Sequence, residues 1–231
     1  MRAKDIMTTN VITVGPDEPV ADIARLLMER AISGVPVVDV DGSLLGIVSE
    51  GDLVHRVLGD EAAPRAWWLK LLGDPKDTPG EYVKSHGRTA SDVMTAKPVT
   101  VGEDATVAEI AEVLETMRIK RVPVVEGGRL VGIVSRANIL QALVGAKDTG
   151  LPAMAADDQK IRNSVLDALG EHSWGGTATM NVVVNKGAVQ LWGSVESEDA
   201  KKAVVMAAEA VPGVTSVEST IAVVKRMPEY L

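Results

Sequence analysis

The 231-residue sequence contains no cysteine. Disulfides, thiolate zinc sites and cysteine nucleophiles are therefore excluded, and a reducing compartment is compatible with the chain. No stretch approaches the ~20 consecutive apolar residues that span a bilayer. Met1-Arg2-Ala3-Lys4-Asp5 runs straight into patterned sequence with no apolar signal core before it. Positive charge is in deficit: 24 Lys and Arg stand against 32 Asp and Glu, a formal net charge of -8. Nucleic-acid binders need a basic face to neutralise phosphates, so nucleic acid is not expected as a partner, while a local basic pocket for a small anion stays open. Neither a Gly-x-Gly-x-x-Gly run nor a phosphate-loop lysine motif occurs. His55, His86 and His172 have no metal-ligand spacing. No nucleophile and base can be paired, and the chain reads as a soluble, cytoplasmic non-enzyme.

What the sequence does have is a repeat. Asp5-Ile6-Met7-Thr8, Thr13-Val14-Gly15, Val35-Pro36-Val37-Val38 and Gly46-Ile47-Val48-Ser49 return as Asp92-Val93-Met94-Thr95, Thr100-Val101-Gly102, Val122-Pro123-Val124-Val125 and Gly132-Ile133-Val134-Ser135. The offset is 87 residues up to the turn near Gly127-Gly128 and 86 beyond it. A duplicated unit of this size is expected to pack on its copy and to leave two pseudo-equivalent clefts, where function would lie.

Each copy reads strand, helix, strand, strand, helix. Val11 to Val14 is a short extended run closed by Gly15-Pro16. Val20, Ile23, Ala24, Leu27 and Met28 recur at helical spacing, as do Val107, Ile110, Ala111 and Leu114. Asp41-Gly42 turns one strand into the next. Proline at 36 and 123 is unusual, because it removes a ladder donor. It predicts an edge or strand end, facing either solvent or a bound ring. Between the copies, Ala66-Trp67-Trp68-Leu69 is a short apolar segment expected to be helical. Residues 148–156 read as a linker. Beyond it Ile161, Val165, Leu166 and Leu169 share a helix face, two strands flank Asn185-Lys186-Gly187-Ala188, Ala200 to Ala208 form a helix, and a strand follows Pro212-Gly213. Trp174 and Trp192 are expected in the core of this small domain.

In order in the first copy, and with Arg121 for the glycine and Asn138 for the final aspartate in the second, the motifs Asp-hydrophobe-Met-Thr, Gly-Val-Pro-Val-Val and Gly-Ile-Val-Ser-x-x-Asp resemble those of CBS (cystathionine beta-synthase) domains, and the tandem resembles a Bateman module. Residues 157–225 resemble a BON domain, through their element order, Gly193 after the second strand and Pro-Gly-Val before the last. The implied fold is mixed α/β (α+β): two β-α-β-β-α repeats forming a pseudo-symmetric module, plus a small α-β-β-α-β domain. Along the chain these are residues 1–60, an insert at 61–88, 89–147, the linker and 157–225.

The resemblance implies a ligand. Bateman modules bind AMP, ADP, ATP or S-adenosylmethionine, sometimes NAD or cyclic dinucleotides. By likeness the adenine would lie against Gly34-Val35-Pro36 or Val122-Pro123, and the ribose diol on Asp52, with Ser49 or Ser135 beside a phosphate. A carboxylate can accept from both hydroxyls in charge-assisted bonds. The alternative for Ser49 and Asp52 is a helix cap with an acid at its third position, favourable without ligand. The copies differ where this chemistry sits. Asp52 becomes Asn138, Ser33-Gly34 becomes Lys120-Arg121, and Glu50 becomes Arg136. In the gamma subunit of AMP-activated kinase the positions before the hydrophobe-Pro pair carry phosphate-binding basic residues, and Lys120 and Arg121 match them, with Arg118 and Arg136 close in sequence. A solvated basic helix end is the other reading. The expectation is one ribose grip from the first copy and most anion contacts from the second.

The resemblance also implies a homodimer through the CBS helices, with the BON domain as output or localisation module. Phospholipid contact through the BON domain is a weaker implication, because Glu196, Glu198 and Asp199 offset Lys201 and Lys202. Two rivals stay open: an interaction scaffold with empty clefts, and a regulatory subunit of a separate enzyme or transporter acting on a protein target.

Overall fold

The computed structural model describes residues 1–58, 87–145, 154–175 and 180–224. The Trp67-Trp68 segment, His86 and most of the expected linker lie outside the described residues.

The chain divides into two compact units, and the division cuts across the repeats. One unit holds residues 12–98 with 128–130, and the other holds 1–11, 99–127 and 131–231. Each repeat therefore sits with the leader segment of the other copy.

In the first unit α2 (Val20–Glu29) buries Ile23 and Leu27 against β1 (Gly34–Val38) and β2 (Leu44–Ser49), and α3 (Glu50–Leu58) follows β2 directly. β1 and β2 pair antiparallel, with Gly34 opposite Ser49 and Pro36 opposite Ile47. The second copy's leader supplies α4 (Ala90–Val93) and β3 (Thr95–Ala96), which extends the sheet in the order β1-β2-β3. Ala90 and Val93 enter the same core as Ile23, Val35, Val37 and Val48. Burial of each Val or Ile side chain in this core contributes about 1.5–3 kcal/mol.

The other unit repeats this plan. Leader helix α1 (Ala3–Ile6) packs with α5 (Val107–Thr116), β4 (Arg121–Glu126), β5 (Arg129–Ser135) and α6 (Arg136–Gly145). Thr8 bridges Ile133 as Thr95 pairs with Ile47. Both α2 and α5 end in the same way. Ala31 (φ 50°) and Arg118 (φ 53°) adopt the left-handed conformation, and the next amides, Ile32 and Ile119, donate back to Leu27 and Leu114. This is a Schellman closure built without glycine.

The expected first strand of each repeat is reduced to one parallel bridge, Val14 with Val37 and Val101 with Val124. The proline explains why. The Val14 amide donates to the Pro36 carbonyl at 3.1 Å and the Val38 amide to the Val14 carbonyl at 3.0 Å. A strand residue's N and O point to the same side, so the Pro36 nitrogen faces the position where the next ladder bond would form, and it has no hydrogen to give. Pro123 repeats this beside Val101. The prolines thus lie within β1 and β4, with their missing donors on the outer side.

The C-terminal domain follows in the same unit: α7 (Ala156–Gly170), a 3-10 turn at Ser173–Gly175, β6 (Asn181–Asn185), β7 (Ala188–Val195), α8 (Glu198–Glu209) and β8 (Ser216–Val223). β6 and β7 form a hairpin in which Asn185 faces Ala188 across Lys186 (φ 51°) and Gly187 (φ 77°), a type I′ turn. Buried Asp158 accepts from both turn amides at 2.8 Å. β8 runs parallel to β7 after the α8 crossover. Val165, Leu169, Val182, Leu191, Val204 and Ile221 form the core. Trp174 packs against it half-buried, stacked on His172 with ring centroids 4.4 Å apart. Trp192 is half-buried too, but it pairs with Asn181 on the sheet face opposite that core. The expectation of both tryptophans in the core holds only in part, because strand alternation turns Trp192 outward.

Candidate functional site

At the first repeat, β1 and α3 converge because the Glu50 amide donates to the Ser33 carbonyl at 3.1 Å. Gly34, Val35 and Pro36 are buried beside this junction. Gly34 has a steric reason: a Cβ there would stand 3.2 Å from the Val48 carbonyl oxygen. Ser49 and Asp52 cap α3 together. The Ser49 amide and hydroxyl donate to Asp52 Oδ2 at 2.8 and 2.6 Å, and the Asp52 amide approaches Ser49 Oγ at 3.4 Å. The cap reading of this pair is therefore real. It uses one carboxylate oxygen, and Oδ1 accepts no hydrogen bond among the described residues. A carboxylate capped through one oxygen can still accept from a diol through the other.

At the second repeat the same junction forms, with the Arg136 amide on the Lys120 carbonyl at 3.2 Å. Val122 and Pro123 are buried and Arg121 is half-buried. The cap is reproduced by the amide carbonyl of Asn138, whose Oδ1 accepts from the Ser135 amide and hydroxyl at 2.8 and 2.6 Å. The rest of the side chain does something that Asp52 cannot do. Asn138 Nδ2 donates to the Ile6 carbonyl at 3.0 Å and reaches Thr8 Oγ1 at 3.5 Å. Asn138 is 5% exposed, with both ends engaged by protein. The aspartate-to-asparagine difference thus turns the position towards the leader.

The cations also separate the two repeats. The first turn of α3 carries Glu50 and Asp52, whereas the first turn of α6 carries no acid and begins with Arg136. Arg136 lies 3.7 Å from Glu115 with both side chains exposed, a weak tie. Lys120 is exposed. A helix N-terminus with cations suits an anion better than one with carboxylates.

Sequence reasoning missed the leader contacts. A Cβ on Gly132 would overlap Met7 Sδ, and one on Gly46 would overlap Met94 Sδ. The repeated methionine and the repeated glycine are thus partners across copies. Their joint recurrence was the available signal. Among the described residues no cluster of His, Asp or Glu is arranged to hold a metal ion, and no helix is long and apolar enough to cross a membrane.

Comparison with known proteins agrees with this anatomy. The CBS domain model matches residues 3–59 and 90–145, and the BON domain model matches 157–225. The chain belongs to the CBS-domain proteins, with a CBS pair followed by a BON domain. It is 34% identical over 157 residues to the uncharacterized protein MJ1426 of Methanocaldococcus jannaschii, covering 62% of this chain and 92% of that one. It is 30% identical to the chloroplastic CBS domain-containing protein CBSX2 of Arabidopsis thaliana, covering 62% of this chain and 63% of that one. With the inosine-5'-monophosphate dehydrogenase of Korarchaeum cryptofilum it shares 29% identity over only 23% of that enzyme's length. Among solved structures, CBSX2 in complex with AMP superposes with a TM-score of 0.51 at 30% identity, covering 63% of this chain and 98% of that one.

Proposed function

We propose that this chain is a non-enzymatic regulatory sensor of an adenosyl ligand, with AMP the first ligand to test and ADP, ATP and S-adenosylmethionine its competitors. The observation that carries the reading is Asp52. It is capped through Oδ2, its Oδ1 is unspent among the described residues, and it ends a Gly-Ile-Val-Ser-x-x-Asp motif beside buried Gly34-Val35-Pro36. The similarity to an AMP-bound CBS pair supports it. In this reading Asp52 holds a ribose at the first repeat, and Lys120, Arg121 and Arg136 make the junction of the second repeat the one that favours an anion. The BON domain serves as output, and self-association through the helices is supported by exposed Leu140, Leu143 and Val144 on α6.

Calorimetric titration with AMP tests this. Asp52→Asn keeps an acceptor for the Ser49 cap, as Asn138 does for Ser135, but removes the charge. Charge-assisted hydrogen bonds contribute about 1.5–3 kcal/mol, so affinity should fall at least about tenfold while the melting temperature holds. AMP affinity indifferent to Asp52→Asn and Asp52→Ala would remove the ribose assignment. No heat with any adenosyl compound would favour the scaffold reading.

A further inference from the structure

The first leader, residues 3–8, is held on the second repeat from two directions. Asn138 anchors the Ile6 carbonyl, as described, and the BON domain supplies further anchors. Arg162 of α7 donates through Nη2 to the Met7 carbonyl at 2.6 Å and through Nε to the Val182 carbonyl of β6 at 2.9 Å. Gln159, one turn earlier, donates to Asp5 Oδ1 at 2.9 Å. Arg162 and Asp5 are each 2% exposed. Burial draws the guanidinium down to about 10, against the pull of Asp5, so it remains charged at neutral pH. β6 completes the joint: Val183 enters the core of the second repeat, and Asn181 Nδ2 donates to Gln141 Oε1 of α6 at 2.7 Å.

A buried cation is costly unless its hydrogen bonds are met, and a module tethered only by a linker has no need of one. One rigid fork bonding two separate backbone carbonyls is a task for arginine rather than lysine. The backbone carbonyls of the second leader differ in this respect. Among the described residues no side chain donates to the carbonyl of Val93 or Met94, the equivalents of Ile6 and Met7.

We infer that Arg162 is a positioning residue: through it the BON domain clamps the first leader onto the second repeat, so that the BON domain and the second repeat act as one body. This does not depend on nucleotide binding.

Hydrogen exchange of the full-length, ligand-free chain followed by mass spectrometry tests it. Arg162→Met keeps apolar bulk and removes the fork. The loss of a charge-assisted bond predicts at least about tenfold faster exchange across residues 3–8 and at Ile133, with residues 90–97 unchanged. Arg162→Lys should recover part of the protection. Gln159→Ala, which leaves Arg162 in place, should speed exchange over residues 3–6 by a smaller factor and serves as the reading if Arg162→Met fails to fold. Exchange at the first leader unchanged in all variants, or raised equally at both leaders, would overturn the inference. AMP titration of the same samples reads the nucleotide proposal separately.

Discussion

The two CBS repeats share a backbone plan and differ in what their side chains hold. Ile23 and Ile110 occupy equivalent, fully buried positions, both helices α2 and α5 close through a left-handed residue, and both terminal helices are capped by a serine with the residue three places on. The first repeat places a carboxylate with a spare oxygen at that cap. The second places an amide whose spare end grips the opposite leader. The first leader is held by Asn138, Arg162 and Gln159 and by ion pairs of Arg2 and Lys4 with Asp104, whereas among the described residues no side chain donates to the equivalent carbonyls of Val93 and Met94. Duplication has kept the scaffold and divided the chemistry: among the described residues one copy leaves a carboxylate oxygen unspent, and the other spends the same position on assembly.

The largest test of that division concerns the core. Ile23→Ala and Ile110→Ala should each cost about 2–5 kcal/mol. The cores are unequal, because Val183 of the BON domain belongs to that of the second repeat. Calorimetry should show Ile110→Ala lowering the BON transition with its repeat and Ile23→Ala sparing it. Equal effects on the BON domain would erase the distinction.

Next comes the exchange of Asp52 and Asn138. Asn138→Asp leaves the Ile6 carbonyl without its donor and adds a buried charge, so chemical denaturation should show a loss of about 1–3 kcal/mol or more. Asp52→Asn should stay within about 0.5 kcal/mol, since Asn and Asp cap helices about equally well. Symmetric losses would mean that the amide's leader bond contributes little.

A smaller and symmetric effect is expected at the helix ends. Left-handed geometry costs a residue with a Cβ about 1–2 kcal/mol, and glycine gives part of that back as chain entropy. Ala31→Gly and Arg118→Gly should therefore each stabilise the protein by about 0.5–1 kcal/mol. A marked difference between them would expose a further role for the Arg118 side chain.

The smallest effect is acid softening of one leader. Asp104 lies 2.8 Å from both Arg2 and Lys4, and its bonds to Lys4 and then Arg2 hold its carboxyl below the usual 3.8. The folded state therefore binds this proton less readily than the unfolded chain. The stabilisation is complete above pH 3.8 and disappears as the pH falls through the lower folded value. The equivalents of Arg2 and Lys4 in the other leader are Thr89 and Ser91, so amide exchange below pH 4 should rise in residues 3–8 before it rises in 90–95. All three groups are exposed, and salt should reduce the difference.

Much of this was legible in sequence. The duplication, the α2 and α5 faces, the Asp41-Gly42 and Lys186-Gly187 turns and the α-β-β-α-β order of the BON domain are local patterns, set by periodicity and turn chemistry over a few residues. The caps were legible too, because Ser49 to Asp52 and Ser135 to Asn138 are three apart and cap their own helices whatever else they do. The first strand was over-read: alternation in Val11 to Val14 gives no warning that Pro36, far along the chain, withholds the next ladder bond.

By itself the sequence determined that the chain is two copies of one unit followed by a third domain, and that the copies differ in charge where Gly34, Glu50 and Asp52 become Arg121, Arg136 and Asn138. Only the tertiary structure decided that the leaders exchange, that the Asn138 amide turns to a carbonyl 132 residues away, and that Arg162 closes on Met7 across 155 residues. The reason is physical. A cap or a turn is satisfied by neighbours whose identity the sequence spells out, whereas a buried amide or guanidinium takes whichever carbonyl packing brings to it, and that partner is fixed only when the cores have formed.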